Sequence, residues 1–110
     1  MANFVIQKKG NEHYFAVLVT VNGDIILRGP NCVKLLECNQ SIDSIRAHAR
    51  DFSSYELTDS HNGKYFFGLK GSDGIDVARS VVFKTPADVY FGIEYARRTI
   101  PSASLENFQS

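Results

Sequence analysis

A chain of 110 residues, 44% hydrophobic and 22% charged, has the length of one domain and enough apolar side chains for one core. Twelve basic residues balance twelve acidic ones, which excludes a strongly basic, nucleic-acid-seeking surface over the chain as a whole and leaves room only for a local patch. No apolar run approaches the ~20 residues that cross a bilayer, and Met1-Ala2-Asn3-Phe4 lacks the basic and apolar regions of a secretory leader, so a cytoplasmic protein with no membrane contact is expected.

Phe4–Lys8 alternates apolar and polar residues as a half-buried strand does, and Lys9-Gly10-Asn11-Glu12 reads as a turn. His13–Thr20, rich in β-branched and aromatic residues, is the second strand. Asn22-Gly23 tolerates the positive φ of a tight hairpin and returns the chain as a third strand, Asp24–Leu27. A helix follows with the stripe Leu35, Cys38, Ile42, Ile45 and Ala49; its start is poorly marked, with Lys34 at the cap position and Asn31 as the alternative cap. Strands over Tyr55–Thr58, Lys64–Lys70 and Ile75–Phe83 come next, with turns at Ser60-His61-Asn62-Gly63 and Asp73-Gly74. The second helix is well marked by Thr85 as N-cap, Pro86 at the first position, Asp88 three residues after the cap, and the stripe Val89, Ile93, Ala96 and Ile100. Pro101 ends it, and 102–110 reads as a polar, flexible tail.

The order strand–strand–strand–helix thus occurs twice. An offset of 51 lays residues 4–50 on 55–101 without a gap, and eight pairs are identical: Asn11/Asn62, Tyr14/Tyr65, Phe15/Phe66, Leu18/Leu69, Gly23/Gly74, Arg28/Arg79, Ile42/Ile93 and Arg46/Arg97. Average residue usage gives about three by chance. The expectation is a tandem duplication within one α+β domain, 1–110, whose units share one largely antiparallel sheet with two helices on one face. One unit alone has a marginal core, and Asp51-Phe52-Ser53-Ser54 is too short a link to separate two beads.

The pattern Tyr65-x-Phe67-x-Leu69-Lys70, then Asp73-Gly74, then Gly92-Ile93-Glu94 resembles the YegP-like family of short bacterial proteins, and Tyr14, Leu18, Asn22-Gly23 and Ile42-Asp43 repeat it in the first unit. The resemblance covers about residues 4 to 100. It implies three-strand-plus-helix units assembled into a single sheet with strands exchanged between units, and it implies no activity. The chain departs from the family before each helix, where a Ser-Glu-x-Tyr segment is replaced by Gly29-Pro30-Asn31-Cys32 and by Ser80-Val81-Val82-Phe83. The helical Asn-Gly-Ile is Gln40-Ser41-Ile42 and Phe91-Gly92-Ile93.

Alternation assigns Phe4, Ile6, Tyr14, Ala16, Leu18, Tyr55, Leu57, Tyr65, Phe67 and Leu69 to the face under the helices. Phe15, Val17, Val19 and Phe66 then fall on the outer face, with Val5 beside them. An open antiparallel sheet normally shows water a polar face. Either sheet twist, the third strand or the tail covers these residues, or they form a surface for a second copy, another protein or a small ligand.

Groups that would converge for catalysis are missing. His13, His48 and His61 read as solvated, no nucleophile elbow or phosphate loop occurs, and neither a cofactor nor a metal site is expected. Cys32 and Cys38 read as free thiols, since a disulfide would close a short loop across a helical segment. The repeated arginines Arg28, Arg46, Arg79 and Arg97 admit two readings, ion pairs within the fold or contacts to phosphate or nucleic acid, with Phe15 and Phe66 as stacking platforms. The leading expectation is a non-catalytic module that docks a second copy of itself or another protein on the outer face.

Overall fold

The computed structural model describes residues 2–106. Period-2 segments form the strands β1 (Asn3–Lys9), β2 (His13–Val19), β3 (Ile25–Arg28), β4 (Tyr55–Asp59), β5 (Tyr65–Lys70) and β6 (Asp76–Ser80), and the 3.6-period stripes form α1 (Leu35–His48) after β3 and α2 (Pro86–Thr99) after β6. Short 3-10 turns at Phe52–Ser54 and Ile100–Ser102 follow the helices, and β7 (Ser104–Leu105) comes last.

One mixed sheet runs in the order β4-β5-β6-β3-β2-β1-β7. β1–β2–β3 and β4–β5–β6 are antiparallel meanders, and the antiparallel pair β3–β6 joins them. Each meander pairs within itself, so the strand exchange that the resemblance implied does not occur. The units are knit instead by the β3–β6 seam and by α1, which packs on β2 of its own unit and on β5 and β6 of the other.

The two units follow each other in detail. A register shift falls between Leu18 and Val19 and again between Leu69 and Lys70. Isolated bridges Tyr14–Cys32 and Tyr65–Phe83 close the two meanders at equivalent positions. The turn glycines Gly23 and Gly74 have φ of 89° and 81°, as the hairpin reading required. At the position of Gly10 (φ 65°) the second unit carries His61 at φ 71°, a conformation that costs a residue with a Cβ.

The core is one continuous cluster. Phe4, Ile6, Ala16, Leu18, Leu27, Phe67, Leu69 and Ala78 supply it from the sheet, while Cys38, Ile42, Ile45, Val89, Ile93 and Ala96 supply it from the helices. Both helices therefore cover the same face. Leu35, expected in the stripe of α1, is exposed instead. It opens the first turn, ahead of the point where α1 meets the sheet. α2 begins as expected, with Thr85 Oγ1 accepting from the Asp88 N–H at 3.1 Å. α1 does not use Asn31 as its cap; Glu37 Oε1 accepts the Val33 and Lys34 N–H groups, each at 3.0 Å, and so satisfies the helix start from inside its first turn.

The expected tail is only partly one. Ile100 and Ala103 are buried, β7 pairs in parallel with β1, and the Glu106 N–H donates to Phe4 O at 2.7 Å. Residues 102–106 thus cover the outer edge of β1, which would otherwise present unpaired backbone groups. The remaining stretch of the expected tail, 107–110, lies outside the described residues. Among the described residues no helix is long and apolar enough to cross a membrane.

Candidate binding surface

On the sheet face away from the helices, the β3–β6 seam brings two of the repeated arginines together. Arg28 and Arg79 are direct cross-strand partners. Along the same row Arg28 pairs with Val17 and Arg79 with Gly68. Each guanidinium reaches over the phenylalanine of its own unit: Arg28 lies 3.9 Å from the centroid of the Phe15 ring, and Arg79 5.1 Å from that of Phe66. Such contacts stabilise by about 0.5–1 kcal/mol at exposed sites.

Val17, the cross-strand neighbour of Arg28, also pairs with Val5 on its other side. Flanked by the buried Val5 and by Arg28, Val17 is fully buried although it lies outside the main core. Val17 is therefore not open to a partner, whereas Phe15, Val19 and Phe66 are each half-buried.

The corresponding positions of the second unit are charged. Val5, Val19 and Ile25 are matched, at the offset of 51, by Glu56, Lys70 and Asp76, and Val17 by Gly68. Lys70 Nζ lies 3.0 Å from Asp76 Oδ1 and 3.7 Å from Glu56 Oε1, and Arg79 Nη2 lies 3.4 Å from Asp76 Oδ2. The hydrogen bond to Asp76 is the main cause of a raised Lys70 pKa. Gly68 makes room for this group, because a Cβ there would sit 2.7 Å from Asp76 Oδ1.

Arg28 is held differently. Its Nε donates to Gly29 O at 3.3 Å and its Nη2 to Asn31 Oδ1 at 2.5 Å, and it makes no ion pair among the described residues. Arg28, Gly29, Pro30 and Asn31 form one wall of an open cavity of about 410 Å³, and Asp76 to Ser80 form the other.

The other two repeated arginines do not join this site. Arg46 lies on α1, 5.3 Å from the centroid of the Phe4 ring, and Arg97 on α2 pairs with Glu94 at 2.5 Å and donates to Arg50 O at 3.1 Å. Both belong to the helical layer, so the four arginines divide between two sides of the molecule. Asn31, Asp76, Lys70 and Gly68 were not expected at a site: Asn31 read as an alternative helix cap, and Lys70 only as part of the family pattern. The signal was the set of unlike pairs in the repeat alignment, Ile25/Asp76 and Val17/Gly68.

Elsewhere the chemistry is quiet. Cys32 and Cys38 are both buried free thiols, and burial, with Cys32 as a hydrogen-bonding neighbour, pushes Cys38 up to about 12. The fold thus places the two sulfurs close together, which the sequence spacing did not suggest, and burial favours the protonated form of Cys38. Among the described residues no group of three or more His, Cys, Asp or Glu is placed to hold a metal.

No family model matches the chain. A UPF0339 protein of Pseudomonas aeruginosa is 26% identical over 106 residues, 96% of each chain. The UPF0339 protein YegP of Escherichia coli K12 is 23% identical over 104 residues, 94% of each. Its curated relatives are YegP-like proteins. The solution structure of Escherichia coli YegP, described as a protein of unknown function, superposes with a TM-score of 0.89 at 24% identity, covering 99% of this chain and 95% of that one. A UPF0339 protein of Shewanella oneidensis gives 0.87 at 19% identity over 96% of this chain and 89% of that one. The YegP-like fold is therefore shared over the full sheet and both helices, and the relatives' names assign no activity.

Proposed function

We propose that this chain is a non-catalytic interaction module that docks a second copy of itself on the outer sheet face, and that its two units are tandem copies of one ancestral unit. The observation that carries the docking is the row at the centre of that face, where Arg28 and Arg79 stand side by side, each over an aromatic ring. Arginine and aromatic side chains are the types that dominate interface energies. Around them the first unit offers half-buried Val19 and Ile25, which is 38% exposed. The support for common descent is the recurrence of the register shifts, closing bridges and positive-φ turns at one offset.

Sedimentation of the wild type and of Phe15→Glu over a concentration series tests the docking. A concentration-dependent dimer that becomes a monomer on substitution is expected. A monomer throughout, for both proteins, overturns it.

A further inference from the structure

The equivalent arginines have unequal partners. Arg79 shares the carboxylate of Asp76 with Lys70, and Glu56 balances Lys70. Arg28 has two neutral acceptors, Gly29 O and Asn31 Oδ1. The position that matches Asp76 in its own unit is Ile25, and the position that matches Asn31 in the second unit is Val82. Each unit thus holds its arginine with a device the other lacks, and only one device cancels the charge. Over the cluster Arg28, Arg79, Lys70, Asp76 and Glu56, one positive charge is left over, and it sits on Arg28.

The guanidinium of Arg28 is also oriented. The Phe15 ring lies against its face at 3.9 Å, and Asn31 and Gly29 take one side of its planar fork. A guanidinium carries more N–H donors than these acceptors use, and the rest have no protein acceptor among the described residues. A fixed planar fork with free donors beside an open cavity is the geometry that takes a carboxylate or phosphate in a bidentate grip.

We propose that Arg28, oriented by Phe15 and Asn31, is the anchor of an oxyanion site in the cavity between Gly29–Asn31 and β6, and that the ligand is a carboxylate or phosphate group. This rests on the outer face being a binding surface and adds the chemistry that the partner presents there. Asp76 holds Arg79 and Lys70 as a framework and keeps the surplus charge on Arg28 alone.

The test is an NMR titration of the full chain at constant ionic strength, following the Arg28 Nε–H and the Gly29 and Asn31 amides, with sodium acetate in one arm and inorganic phosphate in the other. Saturating shifts with a dissociation constant of about 10–100 mM are expected, as suits charge-assisted hydrogen bonds from one partly exposed guanidinium. They disappear in Arg28→Gln, which keeps an aliphatic stem and a polar end without the charge, weaken several-fold in Asn31→Ala, and persist in Arg79→Gln. Saturation with acetate alone assigns a carboxylate ligand, and with phosphate alone a phosphate ligand. Shifts that fail to saturate in both arms, or that are the same in Arg28→Gln, overturn the site. A protein that is monomeric by sedimentation but saturates here loses the docking proposal and keeps the anion site; a dimer without saturation does the reverse.

Discussion

The inner and outer faces of the sheet treat the two units differently. Facing the helices, equivalent positions stay apolar or aromatic: Phe4 and Tyr55, Ile6 and Leu57, Tyr14 and Tyr65, Leu18 and Leu69 are alike, while Ala16 and Phe67, and Leu27 and Ala78, differ only in size. On the outer face Val5, Val17, Val19 and Ile25 stand opposite Glu56, Gly68, Lys70 and Asp76. The inner residues pack into one shared cluster at interior density, where a change of even one methylene is felt. The outer residues meet only their neighbours on the sheet. There a unit can hold its arginine over an apolar bed or inside an ion-pair network with the same backbone, provided the small and large positions change together.

The matched inner faces give the largest expected effect. Leu18→Ala and Leu69→Ala, both fully buried in the wild type, should each cost about 2–5 kcal/mol. Because the cluster is continuous, each should shift one and the same cooperative transition in chemical denaturation. Two separate transitions would show that the units fold apart.

Transplanting the first unit's solution into the second comes next. Gly68→Val drives a side chain into the Asp76 carboxylate and should cost about 1–3 kcal/mol. Adding Asp76→Ile removes the obstruction and rebuilds the Val17–Ile25 arrangement, so a double-mutant cycle should return a coupling of at least about 0.5 kcal/mol in favour of the pair. Additive losses would mean that the two halves of the outer face are not alternative packings of one scaffold.

At the inner pair Phe4/Tyr55 the second unit carries a hydroxyl that the first lacks, and it donates to Ala49 O at 2.7 Å. Tyr55→Phe leaves that carbonyl without its partner and should cost about 1 kcal/mol. Burial raises the Tyr55 pKa above its ordinary 10.0. At lower pH both folded and unfolded chains keep the proton. Above pH 10.0 the unfolded chain releases it first, so stability should fall as pH rises. In Tyr55→Phe this part of the decline should vanish, as thermal melts across the alkaline range would show.

The smallest effect lies in a turn. His61→Gly restores the residue type that the first unit uses at Gly10 and should stabilise by about 1 kcal/mol, readable as a rise in the denaturation midpoint. No gain would mean that the His61 N–H bond to Asp59, at 2.8 Å, depends on the side chain that is lost.

The sequence alone determined the element order, both inner-face sets, the turns at Gly23 and Gly74 and the start of α2. These follow from spacing along the chain: period 2 for strands, 3.6 for helices, and fixed turn and cap chemistry at single positions. It carried the family resemblance for the same reason. Only the tertiary structure decided that 102–105 returns to close the β1 edge, that Cys32 and Cys38 meet, that Val17 is buried beside Arg28, and that Arg79 is neutralised while Arg28 is not. Each of these depends on which strands lie side by side in the sheet and how far a side chain reaches across it. Arg28 and Arg79 are 51 residues apart in sequence and face each other only because two third strands pair at a seam.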